Sequence, residues 1–70
     1  MYLAFAPFGK DFLITAINVD EKTKHHLADL GIIIGETITP IIDQNGSMIL
    51  KVKESRLAIS KTLALRIQGN

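Results

Sequence analysis

The chain has 70 residues, of which 47% are hydrophobic and 21% charged, with a formal net charge of +1 and no cysteine. The lack of cysteine excludes disulfide cross-links and thiolate metal sites, and so short a chain is expected to form one small, marginally stable domain over residues 1–70. Basic and acidic residues are interleaved without the single-sign stripe that is typical of nucleic-acid-binding proteins, so no nucleic-acid partner is predicted.

The first half of the chain predicts a strand followed by a short helix. Residues 11–18 form a short, apolar and β-branched run that predicts a strand. Asp20 is a typical N-cap, and Glu21 suits the first helical turn because both carboxylates face the positive end of the helix dipole. Leu27 and Leu30 are three residues apart, and we expect the helix to dock through both of them.

Two glycines are expected to control how the chain leaves this helix. Gly31 fits the C′ position, where a left-handed residue ends a helix and glycine has no steric cost. In this type of cap the following residue, Ile32, is commonly in contact with Leu27. Gly35 is expected to permit the tight turn that starts the next strand.

The next predicted elements are an irregular strand and a hairpin. Residues 37–42 predict a strand in which Ile38 and Ile42 share one face. Pro40 lies between them and cannot donate to a ladder, so it predicts an edge or a bulge. Residues 43–46 are predicted to form a four-residue hairpin connection that ends on a glycine.

The last third of the chain predicts short strands and one helical turn. Met48, Leu50 and Val52 are expected to point inward, and Leu57 and Ile59 share one face of the next strand. Ser60 is a candidate cap for a helical turn at Lys61–Ala64, and residues 65–68 predict a last short strand. About five short strands with one helix after the first predict a mainly β fold, and a small closed or half-closed barrel best covers the strand edges.

The order of these segments resembles the FeoA family of ferrous iron transport accessory proteins. The most specific part is LGIIIGETI (residues 30–38) followed at the family distance by RLAIS (residues 56–60), and the resemblance extends over nearly the whole chain. It implies an SH3-like β-barrel with a short helix inserted after the first strand. It also implies a non-enzymatic partner that binds the cytosolic part of FeoB, a membrane iron transporter with a GTPase domain, and modulates its activity.

The candidate partner-binding surface is the helix and its exit. The residues proposed for this contact are Leu27, Leu30, Gly31, Ile32 and Gly35. A second apolar set exceeds what a small barrel needs, and either packs over the end of the barrel or docks a partner; it consists of Tyr2, Leu3, Phe5, Phe8, Ile33 and Ile34. A related domain is appended to metal-dependent repressors, so the alternative function is a metal-responsive regulatory module acting with a repressor or nucleic acid.

No cofactor or catalytic residue is predicted. Glu21, His25 and Asp29 are spaced to share one side of a helix and can hold a divalent ion such as Fe²⁺ weakly, although an exposed polar face explains the same pattern. GIIIG lacks the lysine and the following helix of a phosphate-binding loop, and no serine lies in a nucleophile elbow. We therefore expect no enzymatic activity.

The hydropathy pattern predicts a cytoplasmic protein without direct membrane insertion. The apolar N-terminal run has no basic segment before it and is broken by Pro7. No stretch reaches the roughly 20 apolar residues that span a bilayer. A homo-oligomer is compatible with the pattern, as is a monomer.

Overall fold

A computed structural model of the chain describes all residues from 1 to 70 and contains the predicted strands and helices. The strands are β1 (Phe12–Ile17), β2 (Thr37–Gln44), β3 (Ser47–Val52), β4 (Ser55–Ser60) and β5 (Ile67–Gly69). The helices are α1 (Glu21–Asp29), between β1 and β2, and α2 (Lys61–Ala64), between β4 and β5, and a 3₁₀ turn at Leu3–Phe5 precedes β1. Neither helix has the length and apolar character needed to cross a bilayer.

The five strands form one antiparallel sheet in the order β4-β3-β2-β1-β5. Each strand contributes to the same core, and the strand residues of the hydrophobic core cluster are Phe12, Ile14, Ile38, Met48, Leu50, Val52, Ile59 and Ile67. Because strands from both edges reach one core, the sheet curves around it. The predicted mainly β barrel is confirmed, and it is half open because β4 and β5 do not pair with each other.

A bulge in β2 changes which side of this strand faces the core. The register with β3 shifts between Pro40 and Ile42, which confirms the irregularity predicted at the proline. The prediction that Ile42 shares the inner face with Ile38 is wrong: Ile38 is 1% exposed and Ile42 is 52% exposed. A bulge adds one residue to the alternation, so every side chain beyond it points to the other face.

The β2–β3 hairpin is tighter than the sequence suggested. Asn45 and Gly46 both have positive φ angles, 53° and 81°, as a two-residue type I′ turn requires. The predicted four-residue connection over residues 43–46 is wrong, because Asp43 and Gln44 continue β2 and pair with β3. The I′ turn matches the right-handed twist of the strands, which lets the ladder extend up to the turn.

The exit of α1 is a Schellman motif, as predicted. Gly31 has a φ of 92°, its N–H donates to the carbonyl oxygen of Ala28 at 3.0 Å, and the N–H of Ile32 donates to that of Leu27 at 2.9 Å. Leu27 and Ile32 are both fully buried, as the hydrophobic contact of this motif requires. The same glycine therefore ends the helix and directs Ile32 into the core.

The next reversal of the chain occurs at Gly35, also as predicted. Its φ is 95°, and the N–H of Glu36 donates to the carbonyl oxygen of Ile33 at 3.1 Å, as in a type II turn. The N–H of Gly35 donates to the carbonyl oxygen of Ile14 in β1 at 2.8 Å. This bond fixes the turn against the sheet just before β2 begins.

The N-terminal arm, residues 1–9, is held against the barrel. Three of its side chains are buried, those of Leu3, Ala4 and Ala6. Tyr2 forms a bridge to Gln68 in β5, and the N–H of Gly9 donates to the carbonyl oxygen of Pro40 at 2.7 Å. Of the arm residues in the second apolar set, packing over the barrel is thus confirmed for Leu3 alone, whereas Tyr2, Phe5 and Phe8 are exposed.

Alanine substitutions at the two glycines should separate backbone strain from steric contact. A Cβ at Gly31 would lie 3.0 Å from Cγ1 of Val52, whereas one at Gly35 would have no atom within 4 Å. We expect Gly35→Ala to lower the free energy of unfolding by about 1 kcal/mol and Gly31→Ala by about 2 kcal/mol. Urea denaturation measures both, and equal costs would show that Val52 imposes no constraint on position 31.

Candidate partner-binding surface

The predicted contact residues divide into a buried and an exposed group. Leu27 and Ile32 belong to the core, and Gly31 and Gly35 set the direction of the backbone. Leu30 is the one large side chain of the five that is exposed, at 39%. The prediction that the helix docks through both leucines is therefore wrong, because the chain turns at Gly31 and Ile32 enters the core instead.

Two further exposed apolar side chains follow Leu30 closely in the chain, after the end of α1. Ile33 and Ile34, in the turn that Gly35 closes, are also exposed, Ile34 at 53%. We call Leu30, Ile33 and Ile34 the helix-exit patch. The cap of α1 and the bond from Gly35 to β1 hold the backbone on both sides of this patch, so the patch is presented on a fixed frame. Exposed apolar side chains gathered in one short segment can mark interaction sites on small proteins.

Two more exposed apolar side chains lie in segments that Lys61 connects, the N-terminal arm and β2. Lys61 connects the two segments, since its Nζ donates to Oδ2 of Asp43 at 2.6 Å and to the carbonyl oxygen of Ala4 at 3.5 Å. Phe5, next to Ala4, and Ile42, next to Asp43, are both exposed. Sequence reasoning missed Ile42, although the bulge predicted at Pro40 contained the signal that residues after it change face.

The side chains proposed as weak metal ligands lie on the surface of α1. Nε2 of His25 is 3.9 Å from Oε2 of Glu21, and these side chains are 82% and 84% exposed. Asp29 does not join them, since no three His, Asp or Glu side chains come together in an arrangement that could hold an ion. The hypothesis of a three-ligand site on this helix is therefore not supported, and the contact is an i,i+4 surface pair.

An open cleft of about 640 Å³ separates the N-terminal ends of the two helices. Its lining residues are Asn18, Val19, Asp20, Thr23, Ser60, Thr62, Leu63 and Arg66. Two of the polar groups serve as caps: Oδ1 of Asp20 accepts from the N–H of Thr23 at 2.9 Å, and Oγ of Ser60 accepts from the N–H of Leu63 at 3.1 Å. These bonds confirm both predicted caps. Asp20 Oδ1 and Ser60 Oγ, two acceptors that line the cleft, are therefore already bonded to the first turns of the helices.

The curved five-stranded sheet, with α1 inserted after the first strand, is a small SH3-like β-barrel. The FeoA domain model matches residues 1–69. The chain belongs to the FeoA family, which confirms the resemblance seen in the sequence.

Individual relatives agree with this assignment. A protein of Methanocaldococcus jannaschii provisionally named Fe(2+) transport protein A is 35% identical over 65 residues, which cover 93% of this chain and 79% of the relative. The crystal structure of an iron uptake regulatory protein (FeoA) has a TM-score of 0.89 at 24% identity and covers all of this chain and 95% of that one. A manganese-dependent transcriptional repressor has a TM-score of 0.81 at 13% identity, over 96% of this chain and 39% of the repressor. These two structural likenesses show the fold alone.

Alanine substitutions at the two leucines of α1 should have very different effects on stability. Leu27→Ala empties a fully buried position, so we expect it to lower the free energy of unfolding by about 2–5 kcal/mol. Leu30→Ala should lower it by less than about 1 kcal/mol, because this side chain is already in water over much of its surface. Urea denaturation measures both, and a large cost at Leu30 would contradict its placement outside the core.

The N-cap of α1 should make stability depend on pH. Hydrogen bonding by the Thr23 side chain, and then by its backbone N–H, lowers the pKa of Asp20 below its usual value. Ionised Asp20 therefore stabilises the folded state above the unfolded-state pKa of about 3.9, and this stabilisation is lost as the pH falls through the lower folded-state pKa. We expect Asp20→Ala to lower the Tm, measured by circular dichroism, more at neutral pH than near pH 2.

The matched control for this measurement is Asp20→Asn, which keeps a capping oxygen but does not titrate. The difference in Tm between Asp20→Asn and Asp20→Ala should be the same at both pH values. If wild type and Asp20→Ala also differed by the same amount at both, the charge of Asp20 would have no role in the cap.

Proposed function

We propose that the chain is a non-enzymatic accessory protein of ferrous iron uptake that binds the cytosolic part of a FeoB-type transporter and modulates its activity. Membership of the FeoA family supports this role, as does the relative named for Fe(2+) transport. The protein acts on the cytoplasmic side of the membrane, where the GTPase domain of such a transporter lies.

The helix-exit patch is the observation that carries the binding part of this proposal. Leu30, Ile33 and Ile34 are exposed within one short segment of the chain, and each keeps apolar surface in water that a partner can cover. Full burial of an aliphatic side chain contributes roughly 1.5–3 kcal/mol, so covering these partly exposed ones contributes about 1 kcal/mol each. A partner that covers all three therefore gains apolar contact on a backbone that the fold already holds in place.

The other predicted contact residues stabilise the backbone that carries the helix-exit patch. Leu27 and Ile32 lie in the core and anchor the end of the helix, whereas Gly31 and Gly35 provide the two backbone reversals on either side. Their substitution should weaken binding through loss of structure. Leu30 is the member of the predicted set that we assign to direct contact.

The alternative role, a metal-responsive regulatory module acting with a repressor or nucleic acid, has weaker support. The likeness to the manganese-dependent repressor is one of fold at 13% identity. The eight basic residues of the chain are balanced by seven acidic ones, so little electrostatic attraction to a nucleic-acid backbone is expected.

A binding assay with the cytosolic domain of the FeoB-type transporter from the same organism tests the proposal, with GDP and with a GTP analogue. We expect saturable binding that Leu30→Gln and Ile34→Gln each weaken about five- to tenfold, which corresponds to about 1 kcal/mol of lost burial. Leu65→Gln is the matched control, since Leu65 is similarly exposed but follows α2, and it should leave binding unchanged. Thermal melting should show that all three variants keep the wild-type Tm.

Modulation is tested in the same mixture by the rate of GTP hydrolysis. Wild-type protein should change the rate, and Leu30→Gln should restore the rate of the transporter domain alone at concentrations where wild type acts. No binding with either nucleotide, or equal binding by all variants, would refute the proposed role of the helix-exit patch.

A further inference from the structure

The outer edge of β4 is a free edge of the sheet. This strand pairs with β3 over all six residues without a register shift and is the last in the strand order. None of the backbone hydrogen bonds outside the helices and strands reaches its other side. The opposite edge, β5, is partly covered by the bridge between Tyr2 and Gln68. An unpaired strand edge of this kind can accept another strand.

The hairpin geometry determines which groups of β4 are available. A two-residue connection closes the β3–β4 hairpin, so Val52 and Ser55, the pair beside it, exchange hydrogen bonds. In an antiparallel ladder such pairs alternate with non-hydrogen-bonded ones. The N–H and C=O groups of Arg56 and Ala58 therefore point away from β3, toward the free edge.

The outer face of the sheet beside this edge has one apolar and one cationic row. Cross-strand partners place the residues in the rows Ile42–Ile49–Ala58 and Thr39–Lys51–Arg56. Ile42, Ala58, Lys51 and Arg56 are exposed on this face. Of the inward-facing residues between them, Leu50 is buried and Leu57 is half-buried. A strand added to β4 would extend both rows by one residue each.

Lys51 and Arg56 lie directly opposite each other in a non-hydrogen-bonded pair. Side chains are closest in such pairs, and like charges there are destabilising. Neither residue has a carboxylate within 4.0 Å. The acid nearest along this row, Asp11, instead accepts a hydrogen bond from Oγ1 of Thr39 at 3.0 Å. A carboxylate from outside would therefore relieve the repulsion between the two cations.

We propose that β4 accepts, as an added antiparallel strand, an extended segment of a partner protein with an acidic residue beside Arg56 and an apolar residue beside Ala58. Because alternate residues of a strand share a face, the segment carries its apolar and acidic residues two positions apart. The carboxylate faces Arg56 and Lys51, and the apolar side chain continues the row that starts at Ile42. This proposal does not depend on the identity of the transporter partner.

A second copy of this chain is a poor occupant of the same edge. Pairing β4 with β4 would bring Lys51 and Arg56 of both copies onto one face without an added acid. Cations near a free edge protect against this kind of self-pairing. The charge that disfavours a second copy is the charge that favours an acidic segment.

The probe is the blocked peptide acetyl-Thr-Val-Thr-Glu-Thr-Thr-amide, titrated into the ¹⁵N-labelled full chain and followed by NMR. We expect saturable shifts in β4 and slower hydrogen exchange at the N–H groups of Arg56 and Ala58. Exchange at Leu57 and Ile59, whose N–H groups already bond to β3, should not change. Methylation of the peptide nitrogens of Val and Glu should abolish binding, and methylation of the threonine nitrogens on either side of Glu should not.

Charge variants of the chain and of the peptide test the acidic requirement. Arg56→Glu and Lys51→Glu should each weaken binding at least about tenfold, and a peptide with lysine for glutamate should behave likewise. Lys22→Glu, a charge reversal on α1, is the matched control and should change affinity by less than about twofold. The dispersion of each NMR spectrum shows that the variant is folded.

Several results would overturn the proposal. They are failure of the peptide to bind at millimolar concentration, equal binding of the lysine peptide, and equal binding after methylation of the Val and Glu nitrogens. Displacement of the peptide by a short oligothymidine at lower concentration would assign the cationic row to nucleic acid instead.

Discussion

The reversal of the chain at Gly31 is the constraint on which the rest of the structure depends. A positive φ at this position allows two hydrogen bonds to close the end of α1. It also brings Ile32 into the core beside Leu27, five residues earlier in the chain. Without it, the helix would continue, and the aliphatic run after it could not reach β2 in the observed register. The packing of α1 on the barrel therefore depends more on its C-terminal cap than on its length.

The same reversal explains why apolar side chains remain on the surface. Once Leu27 and Ile32 fill the core, Leu30 and the isoleucines at 33 and 34 have no interior position left. The backbone bond from Gly35 to β1 then fixes the turn that carries them. Their exposure follows from the geometry that stabilises the fold, and a partner that covers them gains contact area without having to order a loop.

The half-open sheet has two edge strands, β4 and β5, and only the β5 edge is covered by another segment of the chain. The β5 edge is covered by the N-terminal arm, and Lys61 holds that arm to β2 through Asp43 and the carbonyl oxygen of Ala4. The β4 edge has no such cover and carries Arg56 instead. A chain of this size has few residues available to cover strand edges. The N-terminal arm covers the β5 edge, whereas the β4 edge is exposed and its positive charge favours pairing with an acidic segment.

The sequence by itself determined the features that depend on backbone chemistry within a few residues. These are the cap at Asp20, the helix stop at Gly31, the irregularity at Pro40 and the inward alternation of β3, and the order of these signals also identified the FeoA family. Only the tertiary structure decided that Leu30 stays outside, that Ile42 changes face, and that Lys51 lies opposite Arg56. The first depends on which distant segments compete for the core. The second follows from a bulge, which the sequence offered at Pro40 only as an alternative to an edge strand, and the third depends on the register of β3 with β4.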